Sequence, residues 1–439
     1  MGWDVIFSPC LTSFGLHQRQ RKMRHSPLST SAALSLLAAG GVLSALPGPP
    51  GQWAAIPSWD LQTTAKETRE LSAISQPGVD TSSWHHVSIP HCTLMGCLLN
   101  SGVYNETDLF FSDNLGKVDA RQFAVPWLYR NEFSLDPGPG KHYFLQTHGI
   151  SSRADIFLNG KQVADKSVQV GSYAGHRYDI TGIAAKSNAL AIRVHPTNPN
   201  TDLAIGWVDW NPWPADNGTG VWRAVEVKQT GPVALRPLRV VTLLDTPLVQ
   251  ATYTLRVKAQ NLEKTAIRVL ASASVKLVST GEQVGGDGKY VTIQPGAEVD
   301  IVFDGVVQNP AVWWPKQWGD QPLYNANLTL STDGVVSDSV ATNFGFRVIQ
   351  RQLNSYNDTT FIINRRPFQV LGGGYAPDMF LRWDAAKWEK ELKYVLDLGF
   401  NTVRLEGKNE HPELYDIADR LGVMIMAGWE CCDKWEAWS

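Results

Sequence analysis

The period of the apolar residues changes once along this chain, near Leu353, and that change constrains the fold more than any other feature. Between about Trp53 and Ile349, apolar residues alternate or run together in stretches such as FLQTHGI, ADIFLNGKQVA, ALAIRVHP and ATYTLRVKAQN. Turn signals separate these stretches, and no helical period of any length intervenes. The step Asn159-Gly160 predicts a two-residue hairpin turn, because both positions must take positive φ and Asn and Gly do so at least cost. Strands without helices bury their apolar faces against each other. Residues 51–230 and 231–350 are therefore each expected to form a β-sandwich, the second immunoglobulin-like with about six or seven strands.

Beyond Leu353 the texture is different. FIINRRPFQVLGGGY predicts a strand followed by a Gly-rich turn over Gly372–Tyr375. Asp384 can then cap a helix whose apolar residues Trp388, Leu392, Val395 and Leu396 share one face, with Gly399 as terminator. TVRLEG is the next strand. Pro412 opens a second helix carrying Leu414, Ile417, Ala418 and Leu421, and Gly422 ends it before a third apolar strand, VMIMAGWE. Strand–helix–strand–helix–strand is the rhythm of a parallel sheet. Residues 351–439 are expected to be the incomplete start of a TIM (β/α)8 barrel of about three strands, since closure takes eight. The fold class expected is multidomain, β plus α/β.

The chain's 17 Trp mostly fill cores, but indole faces also stack on sugar rings. A formal charge of −3 argues against nucleic acid and is compatible with a cationic substrate. Residues 23–50, with Arg24, His25 and an apolar run from about Ala32 to Leu46, read as signal peptide and linker, so the chain is expected to be secreted and extracellular. Residues 1–22 read as a mis-annotated extension. No other window suggests a membrane span, so no membrane partner is expected. Asn-x-Ser/Thr sequons at Asn105, Asn217, Asn327 and Asn357 are candidate glycan sites. Cys92 and Cys97, close together in an apparent loop, are a disulfide candidate, and the adjacent Cys431 and Cys432 read as buried thiols. No metal spacing and no cofactor motif is present, and nothing in the sequence sets an oligomeric state.

Several strings resemble family 2 glycoside hydrolases, most nearly the secreted, fungal-type exo-β-D-glucosaminidases, from about residue 54 onward. FAVPWLYRNEF (123–133), GISSRADIFLNGKQVA (149–164) and GVWRAVEV (220–227) are similar to the family's jelly-roll-like, sugar-binding sandwich. NTVRLEG, HPELYDIADRLGVMIM and GWECCDKWE are similar to the opening of its barrel. Related galactosidases and glucuronidases follow the strand's Arg with small residues and His-Tyr-Pro, whereas Arg404 here is followed by Leu405-Glu406-Gly407. The resemblance implies an enzyme releasing glucosamine from the non-reducing ends of chitosan oligosaccharides. It also implies retaining hydrolysis by two carboxyls ~5–5.5 Å apart, borne after barrel strands four and seven. Both positions are expected to lie beyond Ser439, so no catalytic residue is assigned and the chain alone is expected to be inactive.

What remains is part of a substrate pocket. Glu406 is the candidate contact for the substrate's ammonium, or else is paired with Arg404 or Lys408 or simply exposed, and Arg404 is itself a candidate substrate-binding residue. Trp429 and Glu430 line the pocket, or belong to barrel core and a structural ion pair. Asp209, Trp210 and Trp213 assist from the Trp207–Trp222 stretch, or simply close the sandwich. Gly372–Tyr375 leaves room for sugar, or turns the chain. Two other functions fit these residues: a β-mannosidase or other family 2 hydrolase, and a non-catalytic secreted carbohydrate-binding protein.

Overall fold

A computed structural model describes residues 44–46, 48–202, 211–406 and 408–428; residues 23–43 of the expected signal and linker segment, Asp209, Trp210, Trp429, Glu430, Cys431 and Cys432 lie outside the described residues, whereas Ser44–Ala45, expected in that segment, is a strand of the first sandwich. The first block folds as two facing sheets. One runs His85–Val87, Trp59–Thr63, Trp127–Ser134, Ser187–His195, Arg153–Leu158, Lys161–Ala164, with Ser44–Ala45 added in parallel to Trp127–Ser134. The other runs His176–Asp179, His142–Thr147, Val225–Thr230, Trp53–Ala55. Alternate residues of both sheets, among them Trp59, Tyr129, Ile156 and Ile192 from one and Leu145, Val225 and Val227 from the other, meet in a single buried core. Asn159 (φ 51°) and Gly160 (φ 78°) make the predicted tight turn.

Two local readings are corrected. Short helices do interrupt this block, at Leu71–Ile74, Leu94–Asn100 and Glu106–Leu109, each too short to print a 3.6-residue period. Cys92 and Cys97 do form a disulfide, but not in a loop. Cys92 lies in a two-residue strand paired with Gly220–Val221, and Cys97 lies in the helix capped by Thr93, whose hydroxyl accepts from the amide of Gly96 at 3.3 Å.

The second block is a sandwich of eight strands rather than six or seven. Pro237 divides one expected strand into Val233–Leu235 and Arg239–Leu244, because proline lacks the N–H that a ladder needs. Val335–Phe344, too polar to read as a strand, pairs along Tyr324–Thr332. Gln250–Asn261 shows the alternation that builds this core, burying Ala251, Tyr253, Leu255, Val257 and Ala259 in turn. A buried ion pair joins the two sandwiches: Lys228 Nζ lies 2.8 Å from Asp338 Oδ1.

A three-stranded antiparallel meander (Ile349–Leu353, Thr359–Ile363, Arg366–Phe368) leads into three parallel strands, Gly372–Tyr375, Thr402–Leu405 and Met424–Met426. The Gly-rich segment is thus the first parallel strand itself and not a turn after it. Gly372 must be glycine, since a Cβ there would lie 1.8 Å from Thr402 O across the ladder. The two helices form as their caps predict. Asp384 accepts from the amides of Ala386 (2.9 Å) and Lys387 (3.0 Å) to start Ala385–Asp397, and Gly422 at φ 77° ends Pro412–Leu421. Trp388, Leu392, Leu414, Ile417 and Ala418 pack on Val403, Leu405 and Val423 as a third core. Met424 and Ile425 are half-buried and Met426 is exposed, because no described strand lies beyond them.

Candidate functional site

Strand alternation decides which side chains share a face. Val403 and Leu405 are buried against the helices, so Arg404 and Glu406 project from the opposite face of the sheet. Arg404 Nη1 lies 2.6 Å from Glu406 Oε2, and the arginine is far more open than the glutamate, at 54% against 13% side-chain exposure. Gly374, paired with Arg404 in the neighbouring strand, makes this geometry possible: a Cβ there would lie 2.7 Å from Glu406 Oε2. The Glu406 amide donates to Tyr375 O at 2.9 Å, fixing the carboxylate where the second strand ends. Lys408 is not the partner of Glu406. It pairs instead with Glu410 at 3.0 Å, both side chains buried.

Other motif residues have structural work. Asn401 Oδ1 accepts from the Leu371 amide and its Nδ2 donates to Gln369 O, holding two strand starts in register. Asp419 accepts from Arg347 Nη1 at 2.8 Å, tying the second helix to the end of the second sandwich. Tyr375 donates to Glu391 Oε2 at 3.0 Å, and burial together with that carboxylate pushes its phenol far above the usual tyrosine range. Of the Trp-rich stretch, Trp222 is fully buried with Nε1 donating to Ser172 O, and Trp213 Nε1 donates to Asn217 Oδ1. Asn105 and Asn357 are exposed, Asn327 is half-buried in its strand, and Asn217 Nδ2 donates to Thr197 O at 3.4 Å.

A second constellation went unread in the sequence because its members are far apart. His91 of the first sandwich stacks on His411, which precedes the second helix, at 4.8 Å. Trp383 stacks on His411 at 5.2 Å and Trp222 meets it edge-on at 5.4 Å. Beside them opens a cavity of about 880 Å³ lined by His91, Tyr104, Arg382, Trp383 and Glu413 among others. A cavity of about 340 Å³, lined by Tyr375, Trp388, Glu391 and Glu410 among others, lies behind the first helix start. Neither includes Arg404 or Glu406 in its lining. Among the described residues, no group of three or more His, Cys, Asp or Glu side chains is placed to hold a metal. No helix among them is long and apolar enough to cross a membrane.

Comparison with known proteins places this architecture. Residues 59–203 match the glycosyl hydrolase 2 galactose-binding domain-like model, and residues 233–347 match glycosyl hydrolases family 2. The exo-β-D-glucosaminidase of Hypocrea jecorina is 50% identical over 93% of this chain and 46% of its own length. That of Streptomyces avermitilis is 39% identical over 88% of this chain and 42% of its own. The crystal structure of the Amycolatopsis orientalis exo-chitosanase CsxA superimposes with a TM-score of 0.82 at 38% identity, over 88% of this chain and 44% of that one. The chain thus spans about half the length of the curated relatives it matches. With both sandwich modules matched and such relatives along nearly its whole length, the chain belongs to glycoside hydrolase family 2.

Proposed function

We propose that these residues build the two sandwiches and the first three barrel strands of a retaining exo-β-D-glucosaminidase, which releases glucosamine from the non-reducing ends of chitosan oligosaccharides. The observation that carries the substrate is the Glu406 carboxylate. It is held at the C-terminal end of a parallel strand, where barrels build their sites, and is given room by Gly374. A carboxylate so placed is suited to an ammonium, because opposite charges ~4 Å apart attract by ~4 kcal/mol at an effective dielectric near 20, against ~1 in bulk water. The substrate's ammonium would share Glu406 with Arg404. Trp429, Glu430, Asp209 and Trp210 are proposed to complete the pocket. The named activities of the Hypocrea, Streptomyces and Amycolatopsis relatives support the reading. The Lilium longiflorum mannosylglycoprotein endo-β-mannosidase, by contrast, is only 26% identical.

The test is a hybrid in which this chain is joined to the complementary part of the Hypocrea jecorina enzyme. Folded, it should release glucosamine from chitosan oligomers. A folded hybrid that leaves them intact, or prefers β-mannosides, refutes the reading.

The chain is further proposed to be secreted by way of a signal within residues 23–43, ahead of the strand Ser44–Ala45, and to carry glycans at Asn105 and Asn357. Peptide mass spectrometry of protein secreted from a fungal host should find both occupied. It should find little at Asn217, whose Nδ2 is used on a backbone carbonyl, or at the half-buried Asn327. Occupancy concentrated at Asn217 would contradict this placement.

A further inference from the structure

We propose that the stacked imidazoles of His91 and His411 are a latch, released by acid, between the first sandwich and the helices of the parallel sheet. The two rings come from different cores, and each lies within an interface of aromatic faces: Trp222 from the sandwich side, Trp383 from the helix side. Neither His91 Nδ1 nor His411 Nε2 has a protein hydrogen-bond partner, although both atoms are buried. A proton taken up there gains no acceptor.

The surrounding charges give it no counterion either. On the sandwich side, Arg223 lies 4.2 Å over Trp222 and donates to the carbonyls of Asn409 (3.2 Å) and Glu410 (2.7 Å), while Tyr173 OH accepts from the Asn409 amide. In the loop before the second helix, Lys408 is locked to Glu410. On that helix, Glu413 accepts from Trp383 Nε1 at 2.9 Å, and Tyr415 is half-buried. At the start of the first helix, Asp384 caps its own backbone, and Arg382 is bound to Asp378 and Glu106. Every carboxylate nearby is committed elsewhere, while Arg223 and Lys408 face the imidazoles as cations. The positive end of the second helix adds to them.

Burial pulls His91 down to about 4, opposed by its hydrogen bond to the Trp222 backbone and reinforced by Arg223; burial, then His91, Lys408 and Arg223 pull His411 down to about 2. Both values lie below that of a free imidazole, ~6.5, so the closed junction binds fewer protons than the open one. Its stability is therefore fully present above ~6.5 and is lost as pH falls from there toward the closed-state values. Each imidazole should raise the opening constant ~10-fold per pH unit in that window, or ~100-fold at about pH 4.5.

Amide hydrogen exchange on the 439-residue chain reads the latch directly, as protection corrected for the intrinsic rate. Between about pH 7 and about pH 4.5, the two imidazoles together should lower protection over residues 88–93 and 408–415 by on the order of 10,000-fold while the strand Gln250–Asn261 keeps its own. In His411→Phe, which retains a ring in the stack, the fall should shrink ~100-fold. No fall in the parent chain, or an unchanged fall in the variant, overturns the proposal. Should the variant not fold, nuclear magnetic resonance of the parent with labelled histidine rings decides: both imidazoles titrating below about 5 supports it, and either one titrating higher overturns it.

Discussion

Replacing Lys228 by Met should cost about 3–5 kcal/mol of stability, the range seen when one member of a buried ion pair is removed. Lys228 and Asp338 bring opposite charges from the two sandwiches into a site where their side chains are 2% and 0% exposed. Burial pushes the lysine's pKa down and the aspartate's up, and only their mutual contact and the local hydrogen bonds oppose it. Take the ammonium away and the carboxylate keeps its amide donors, Leu235 at 2.6 Å and Ser339 at 2.7 Å, and the more distant charge of Arg177, but loses the cation in contact with it. The thermal midpoint of the sandwiches should drop by on the order of 10 °C. Adding Asp338→Asn to Lys228→Met removes the orphaned charge while leaving an amide oxygen for the Leu235 N–H, so the double variant should regain more than half of the loss. A shift below about 1 kcal/mol in the single variant would mean that water reaches the pair and the sandwiches do not depend on it.

Glu406→Gln, made in the hybrid with the Hypocrea jecorina enzyme, should lower kcat/KM on a β-glucosaminide by roughly two to three orders of magnitude. Glutamine keeps the shape that fits over Gly374 and removes only the charge, so the loss measures attraction for the ammonium. A neutral β-glucoside should lose little. Arg404 makes the test sharper. In the native arrangement it neutralises Glu406 from 2.6 Å, and in the variant it faces the substrate's cation unpaired, which adds repulsion. An equal fall on charged and neutral substrates would show that Glu406 shapes the strand end without reading the amine.

The elements built on strong local rules were legible in the sequence. Asn159-Gly160 had to turn, Asp384 had to cap, and Gly422 had to end its helix, because in each case backbone geometry allows few alternatives. What was misread had weak local signals. Leu94–Asn100 is shorter than two helical turns, and Val335–Phe344 alternates too poorly to be read as a strand. Gly372–Tyr375 looked like a turn because glycine usually means one. Its actual constraint is a Thr402 carbonyl in the neighbouring strand, which no local pattern reveals.

The same division runs through the site. The position of Glu406 at a strand end could be read beforehand, and Arg404 was named as one of its two possible partners. The junction of His91, Trp222, Trp383 and His411 could not, since its members are brought together only by the packing of separate cores.

The most direct measurement is a crystal structure of the hybrid with glucosamine bound. The sugar's nitrogen should lie about 3 Å from a Glu406 carboxylate oxygen, with Arg404 drawn back to share that group. A sugar whose nitrogen points away from Glu406, with the Arg404 pair undisturbed, would contradict the proposed role of Glu406.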